Sequence, residues 1–369
     1  MKSKFILLSV ITALIPLSAH ADQASDYAAQ TFKDWTVACN NQRVCSASSL
    51  LAPADDAPNA DEISSVALTV ERGAAADSPA KLSLIASGEE AWEEKQVGEA
   101  LGLDVGEQTF ELAKLTKQQV ADLKIDFPAE QVAAILASAQ KATTIKLLIG
   151  STEMDISVSG LSASLLYMDE QQQRLETPAA LIKKGSKSFT ASLPKVASVT
   201  PIIQADEAGE ELADVQAEVL ATARKLSLPA VKNCNAERQA ESEDTESMVA
   251  LLDTKNYLIG LNCGSGAYNS TTLLLVAPKD QIEKAKLAQI DQGTDGDALL
   301  TGYTSYDGST GLLHNLYKSR GLGDCGSDAD WAWTGKQFTL VRLNVMDECR
   351  GNMNFLNVWQ LDLAKPKSE

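Results

Sequence analysis

Two arginines and two acidic residues flank a pair of cysteines near the end of the chain. Their order is Arg320, Asp324, Cys325, then Glu348, Cys349, Arg350. If the two cysteines are joined, these four charged side chains come within reach of one another. An arginine fork binds a carboxylate in bidentate geometry, whether that carboxylate belongs to a ligand or to the protein itself. The group is therefore either a structural ion-pair cluster or a ligand-binding patch.

Aromatic and amide side chains add to the patch. Tyr268 and Asn269 follow an earlier cysteine, and Trp331 and Trp333 come shortly after the first of the two joined cysteines. Aromatic faces beside arginine and asparagine suit a sugar or a peptide. The candidate ligand-binding residues are Arg320, Asp324, Glu348, Arg350, Tyr268 and Asn269.

A hydrolase is the alternative interpretation of the same acids. Glycosidases use two carboxylates, one as general acid and one as base or nucleophile. An open, facing pair of Asp324 and Glu348 about 5 to 9 Å apart would favour such an enzyme acting on cell-envelope glycan. A pair already saturated by Arg320 and Arg350 would favour binding or a structural role. We favour a non-catalytic binding or interaction protein and assign no catalytic residue.

Other motifs carry less chemistry. Gly321, Gly323 and Gly326 match the letters of a dinucleotide-binding loop, but a turn and a strand follow where that loop needs a helix. His314 is the one histidine outside the first 21 residues. It alternates with leucines on a predicted strand, which is typical of a satisfied, partly buried histidine. The aspartates at 291–297 form a solvated turn or a weak calcium-type oxygen site, because the loop lacks the spacing of a true calcium loop.

The first 21 residues have the three parts of a cleavable secretion signal. Lys2 and Lys4 give a charged start, residues 5–16 are apolar, and Ala19-His20-Ala21 is a small-x-small cleavage site. The apolar run is too short to span a bilayer as a helix, and no later stretch reaches about 18 apolar residues. We therefore predict a periplasmic protein without a transmembrane segment, whose mature chain starts near Asp22.

The cysteines fit that compartment. Six cysteines are an even number, which in an exported chain predicts disulfides. They cluster as neighbours along the chain, so the predicted pairs are Cys39–Cys45, Cys234–Cys263 and Cys325–Cys349. A zinc site is the competing interpretation, but the chain has no C-x-x-C pair and almost no histidine. We predict no metal and no cofactor.

Charge narrows the choice of partner. The formal net charge is −18, and it becomes about −20 once Lys2 and Lys4 are removed. Nucleic acid and anionic lipid both bind basic surfaces, so this charge argues against either of them as a partner, and we predict no nucleic-acid partner. An unknown envelope protein or a glycan remains.

Length and periodicity predict two domains. The mature chain exceeds the size of one ordinary core. Helical spacing appears after Pro128, over 162–173 and over 206–225, and short strand patterns lie between the first two of these segments and before them. From Val249 onward the pattern is strand and turn, interrupted by one predicted helix over 279–289. The expected fold class is α+β and disulfide-stapled. Its parts are a signal peptide (1–21), an N-terminal α+β domain (22–200), an acidic linker helix (201–228) and a mainly antiparallel β domain (229–369).

Several stretches resemble a known family. They are FKDWTVACNNQRVC (32–45), SASLLYMDEQQQR (162–174), AALIKKG (179–185), CGSGAYN (263–269), SRGLGDCG (319–326), ECRG (348–351) and VWQ (358–360). Together they make the whole chain resemble a family of secreted proteobacterial proteins that is defined only as a domain of unknown function. The N-terminal hairpin alone is also similar to the invasion-associated locus B proteins. Neither resemblance implies a catalytic mechanism.

Overall fold

Antiparallel sheets make up most of the molecule. The structure, a computed structural model, describes residues 28–51, 65–87, 96–112, 114–203, 208–237, 246–291, 298–365 and 367–368. Strands hold 42% of the described residues and α-helices only 17%. The α+β fold class predicted from the sequence, with its N-terminal α+β domain, is therefore wrong. The protein is mostly β.

The first half of the chain builds two sheets from ten strands. In chain order they are β1 (Gln30–Phe32), β2 (Trp35–Cys39), β3 (Cys45–Ser49), β4 (Ser65–Arg72), β5 (Ala80–Ser87), β6 (Leu101–Val105), β7 (Gln108–Leu112), β8 (Lys124–Asp126), β9 (Thr144–Ile149) and β10 (Thr152–Ser157). One sheet has the order β1-β2-β3-β4-β5-β8, and the other has the order β10-β9-β6-β7. Each sheet pairs its strands antiparallel, because short turns such as Gly150–Ser151 return the chain beside itself.

The helices are few and short, which explains the failed prediction. They are α1 (Lys117–Ala121), α2 (Ala129–Ala139), α3 (Leu161–Gln171), α4 (Ala208–Ala223) and α5 (Pro229–Glu237). The helical spacing after Pro128 does give a helix, which buries Val132, Ile135, Leu136 and Ala139. However, residues 101–112 form a complete hairpin, β6 and β7, whose two strands pair over all five residues. Strand pairing thus dominates a half of the chain in which helix and strand signals looked balanced.

The second half forms a nine-stranded sheet. Its strands are β13 (Met248–Leu251), β14 (Asn256–Ser265), β15 (Ser270–Pro278), β16 (Lys286–Leu287), β17 (Leu299–Asp307), β18 (Leu312–Lys318), β19 (Gly326–Trp333), β20 (Phe338–Met346) and β21 (Leu356–Gln360). The main order is β13-β14-β15-β17-β18-β19-β20-β21, and β16 pairs with β15. The helix predicted over 279–289 is wrong. Only residues 282–284 form a 3₁₀ turn, because the chain then joins β15 as β16.

Four very short strands tie the middle of the chain to its end. They are β11 (Ser198–Val199), β12 (Ile202–Ile203), β22 (Asp362–Leu363) and β23 (Lys367–Ser368). β11 pairs with β22 and β12 with β23, both parallel. Helix α4 packs Val219 and Ala223 into the core beneath β14 and β15. The domain boundaries near residues 200 and 228 stay predictions.

Separate apolar clusters fill the two halves, and smaller ones join them. The largest cluster holds residues from Trp35 to Met168. A second holds residues from Val219 to Ala285, and a third holds residues from Leu252 to Leu340. Ala38 of β2 packs against Val345, Leu356 and Val358 of the second half. The short strands at the Cys39–Cys45 hairpin therefore lie against β21.

The three predicted disulfides are confirmed. Cys39–Cys45 joins partners across β2 and β3, Cys234–Cys263 ties α5 to β14, and Cys325–Cys349 closes the loop around β19 and β20. Cys234 itself lies in helix α5. The predicted secretion signal and most of the 291–297 loop lie outside the described residues. Within the part of the chain that the structure describes, no helix is both long and apolar enough to cross a membrane.

Candidate functional site

Arg320 and Asp324 form a bidentate ion pair beside the Cys325–Cys349 disulfide. Arg320 donates from Nε to Asp324 Oδ1 at 2.7 Å and from Nη2 to Oδ2 at 2.5 Å. The backbone N–H of Gly351 donates to Oδ2 at 2.6 Å. Asp324 is fully buried. Burial raises the pKa of this carboxyl, but the hydrogen bonds from Arg320 and Gly351 outweigh it and hold the pKa below its ordinary value.

Glycines make this loop possible. The N–H of Gly323 bonds to Arg320 O at 3.0 Å, and the N–H of Ser319 bonds to Cys325 O at 2.9 Å. Gly326 has φ +138°, and a Cβ there would lie 1.9 Å from the carbonyl oxygen of Tyr317. Only glycine fits that position. Strand β19 begins at Gly326, so these glycines shape a disulfide loop and no helix follows them to hold a dinucleotide.

Arg350 points away from that pair, toward the N-terminal half. Its Nε donates to Leu51 O at 2.7 Å, its Nη1 to Lys33 O at 2.9 Å and its Nη2 to Asp34 Oδ1 at 2.8 Å. Nη2 also contacts Leu51 O. Burial raises the pKa of Asp34, but hydrogen bonds from Arg350 and Ser157 lower it below its ordinary value. Arg350 is thus a clamp between two distant parts of the chain.

Tyr268 and Asn269 also bind the chain itself. Asn269 donates to Lys318 O at 2.7 Å and accepts from the N–H of Lys318 at 3.1 Å. The hydroxyl of Tyr268 donates to Ser319 O at 3.4 Å. Glu348 is half-buried in the loop before Cys349. These contacts hold the turn between β14 and β15 against the end of β18.

Five of the six predicted side chains are therefore engaged within the protein, and Asp324 has no contact with solvent. This geometry favours the structural ion-pair interpretation over the ligand-binding patch. A buried carboxylate that already accepts three hydrogen bonds is also a poor general acid or nucleophile. Ligand binding at these six residues stays a prediction.

A second buried network fixes the N-terminal half. Arg72 donates to Asp169 Oδ1 at 2.7 Å and to Gln172 Oε1 at 2.6 Å. Asp169 also accepts the backbone N–H groups of Leu181 and Ile182. The stretches 162–174 and 179–185, singled out by the family resemblance, meet here. An open cavity of about 610 Å³ lies beside this network, but Arg72, which lines it, is already paired.

A different set of side chains converges on one face of the C-terminal sheet. Cross-strand partners lie on the same side of a sheet. The register places two neighbouring rows there, which we call the polar face: Ser305, His314, Asp330 and Arg342 in one row, and Tyr303, Leu316, Asp328 and Asn344 in the other. Each row crosses β17, β18, β19 and β20. The opposite face carries the core residues Leu313, Ala329 and Trp331.

His314, two aspartates and Arg342 make a tight charged cluster on the polar face. His314 Nδ1 lies 2.8 Å from Asp330 Oδ1 and 3.4 Å from Asp328 Oδ1. Arg342 donates from Nε to Asp330 Oδ2 at 2.7 Å. It also donates from Nη1 to Asp328 Oδ2 at 2.6 Å and from Nη2 to Oδ1 at 3.0 Å. One guanidinium therefore fixes both carboxylates.

The cluster remains open to solvent and strongly polarised. His314 is 39% exposed and Arg342 is 27% exposed. The hydrogen bond with Asp330 raises the pKa of His314, against a smaller opposing effect of burial. Burial raises the pKa of Asp330, but His314 and Arg342 together hold it below its ordinary value.

An exposed aromatic ring stands at the end of the second row. Tyr303 is 52% exposed, and Lys318 Nζ lies 4.7 Å from the centre of its ring. An exposed ring beside fixed donors and acceptors suits a ligand rich in hydroxyl groups, whose C–H faces stack and whose hydroxyls bond.

Hydrogen bonds link the polar face to the first disulfide hairpin. Asn344 donates to Asp328 Oδ2 at 3.4 Å, Asn357 donates to Asn344 Oδ1 at 2.8 Å, and Asn40 donates to Asn357 Oδ1 at 2.7 Å. Asn40 follows Cys39 in the stapled turn. Residues from both halves of the chain therefore support the polar face through these hydrogen bonds.

Sequence reasoning found only part of this face. The interpretation of His314 as a partly buried histidine with a partner is confirmed, but its partners Asp328, Asp330 and Arg342 were missed. The available signal was alternation: Asp328 and Asp330, like Arg342 and Asn344, are two residues apart in the sequence. Without the strand register, that spacing does not show that the residues meet.

A family model described as "Protein of unknown function (DUF1176)" matches residues 29–362. The chain belongs to the DUF1176 family. The family resemblance inferred from the sequence is thereby confirmed as to the family, whose description names no activity.

One relative of this DUF1176 protein is "Uncharacterized protein YpfG" of Escherichia coli strain K12. It is 27% identical over 333 residues, which cover 87% of this chain and 89% of that protein. Among solved structures, invasion associated protein B from Bartonella henselae is similar at 18% identity, with a TM-score of 0.28, over 40% of this chain and 99% of that one. This last likeness is weak.

Proposed function

We propose that this DUF1176 protein is an exported cell-envelope protein that binds a glycan, without chemistry, on the polar face. The observation that carries the proposal is the pair of rows itself. An exposed tyrosine lies beside a histidine, two aspartates and an arginine whose positions are fixed by one another. Rigid placement before binding lowers the entropic cost of recognition.

Export is supported by the cysteines. All six form disulfides, and disulfides persist in oxidising compartments such as the periplasm. The secretion signal predicted over residues 1–21 agrees with this location. The partner is thus drawn from the cell envelope, and the choice of a glycan over a protein rests on the polar character of the face.

Carboxylate-dependent hydrolysis is less well supported. Asp324 is buried and paired with Arg320, so it is not free to transfer a proton. Asp328 and Asp330 share a single arginine on one strand. They do not face each other across a cleft, which is how a glycosidase places its two carboxylates on opposite sides of the bond that breaks.

The test is a binding screen with matched tyrosine variants. The probes are defined peptidoglycan fragments and carboxylated oligosaccharides, and the readout is isothermal titration calorimetry. Tyr303→Ala should weaken binding at least tenfold, whereas Tyr268→Ala should leave it unchanged. Tyr268 is the suitable control because it is also exposed and lies away from the polar face, in the turn between β14 and β15 of the same sheet.

The opposite pattern in the two tyrosine variants would assign the binding site to a different part of the molecule. Binding lost in Tyr268→Ala and kept in Tyr303→Ala would place the ligand at the Arg320 loop. If neither wild type nor variant binds any of the glycans, the proposal fails.

A further inference from the structure

We propose that His314, Asp328 and Asp330 form a binding site for a divalent transition-metal ion, with Zn²⁺ as the ion to test first. The ligand atoms would be His314 Nδ1 and one oxygen of each aspartate. These three groups offer ligand atoms that all lie within 4.8 Å of one another. Among the described residues, this is the one group of its kind with an imidazole nitrogen at its centre.

The spacing fits the coordination sphere of a small cation. Zn²⁺ binds imidazole nitrogen and carboxylate oxygen at about 2.0–2.2 Å, so neighbouring donors lie roughly 3 Å apart around it. His314 Nδ1 is 2.8 Å from Asp330 Oδ1 and 3.4 Å from Asp328 Oδ1. On binding, rotation of the three side chains would admit the ion between these atoms.

Arg342 orients the aspartates. Its Nε holds Asp330 Oδ2, which leaves Asp330 Oδ1 directed at the imidazole. It holds both oxygens of Asp328, and Asp328 Oδ1, the oxygen nearer the imidazole, accepts the longer of these two bonds at 3.0 Å. Outer groups that fix a ligand in this way are a regular part of metal sites. The two carboxylates carry two negative charges and the guanidinium carries one positive charge. With a neutral imidazole, the cluster therefore has a net negative charge, which favours binding of a cation.

The donor set selects the kind of ion. One imidazole nitrogen and two carboxylates suit Zn²⁺ or Mn²⁺, whereas Ca²⁺ and Mg²⁺ prefer oxygen ligands alone. Since His314 is 39% exposed, water can complete the coordination sphere. In the glycan-binding function proposed above, two sugar hydroxyls would take the place of that water. The ion site itself does not depend on that function.

The closing experiment measures the ion alone. Full-length mature protein without a polyhistidine tag is titrated with ZnCl₂ by calorimetry near pH 7.5. We expect one ion per chain, and at least tenfold weaker binding in His314→Gln and in Asp330→Asn. The matched control is Asp155→Asn, which changes an exposed strand aspartate paired with Lys146. It should bind as the wild type does, and circular dichroism of the ion-free variants checks that they fold.

A spectroscopic signature identifies the ligand. His314 is the one histidine of the mature chain, so ¹⁵N-histidine labelling gives a single imidazole, whose Nδ1 resonance should shift on Zn²⁺ addition. Affinity weaker than about 1 mM, or equal affinity in wild type and His314→Gln, would refute the site. Zn²⁺ binding without glycan binding would leave the ion site standing and the proposed function refuted. Glycan binding by a protein that does not bind Zn²⁺ would refute the ion site and leave the proposed function standing.

Discussion

Replacement of Arg350 by alanine should destabilise the protein rather than abolish a binding site. The side chain is only 14% exposed, and it joins the Cys325–Cys349 loop to Lys33, Asp34 and Leu51. Its loss leaves the Leu51 and Lys33 carbonyls without this donor and removes the ion-pair partner of Asp34, whose hydrogen bond from Ser157 remains.

The expected cost follows from those contacts. A hydrogen bond to a charged group contributes roughly 1.5–3 kcal/mol, and breaking a fully buried ion pair costs roughly 3–5 kcal/mol. Asp34 is 28% exposed and regains some water, so the lower part of that range applies. We expect the free energy of unfolding to fall by about 3 kcal/mol.

Urea denaturation followed by tryptophan fluorescence measures this effect, and the loss should appear as a lower midpoint at an unchanged slope. Arg43→Ala is the matched control, because the Arg43 side chain donates to Ser192 O at 3.3 Å on an exposed surface and its loss should cost under about 1 kcal/mol. If Arg350→Ala keeps wild-type stability and instead loses binding of a carboxylated sugar, then the clamp interpretation is wrong and the sequence-based patch is right.

Three further predictions follow from the same contacts. The pKa of Asp324 is lowered in the folded state, so the ionised carboxylate stabilises the fold fully above about pH 4, its unfolded pKa, and this stabilisation is lost as the pH falls through the folded pKa. The free energy of unfolding of Asp324→Asn should therefore fall less steeply with decreasing pH than that of the wild type. Removing Cys325–Cys349 should cost about 3.5 kcal/mol and removing Cys39–Cys45 about 2 kcal/mol, because the first closes a longer loop; equal losses in calorimetry of the paired serine variants would contradict this. Gly326→Ala places a Cβ against the Tyr317 carbonyl and should lower stability by roughly 3 kcal/mol, so a thermal midpoint equal to that of the wild type would show that the loop is not as tight as described.

The sequence predicted local features well and long-range ones poorly. The three disulfides follow from cysteines that are neighbours along the chain, and the strand-and-turn pattern from Val249 onward corresponds to the nine-stranded sheet. The direction of Arg350 depends on a partner, Asp34, that is 316 residues away in the sequence, and no local pattern carries that information. The sequence therefore suggested that all four charged residues around the Cys325–Cys349 disulfide lie within reach of one another. Of these four, Arg320 and Asp324 form an ion pair, whereas Arg350 binds Asp34.

The polar face was missed for a related reason. Its rows depend on the register of four strands, and a bulge between Asp330 and Trp331 shifts β20 relative to β19. A shift of one residue would move Arg342 to the other side of the sheet. The predicted α+β fold class was wrong for a similar reason. The N-terminal half contains two helices of eleven residues each, but its strands pair into whole sheets, and the sequence does not show that pairing.

The most direct test of the central claim compares Tyr303→Ala and Arg350→Ala in the same two assays, glycan binding by calorimetry and stability in urea. The polar face should be the binding site and the Arg350 clamp a structural element. We therefore predict that Tyr303→Ala loses at least tenfold in affinity at wild-type stability. Arg350→Ala should lose about 3 kcal/mol of stability while its folded fraction binds as the wild type does. The crossed result, with Tyr303→Ala binding normally and Arg350→Ala folded but unable to bind, would contradict the account.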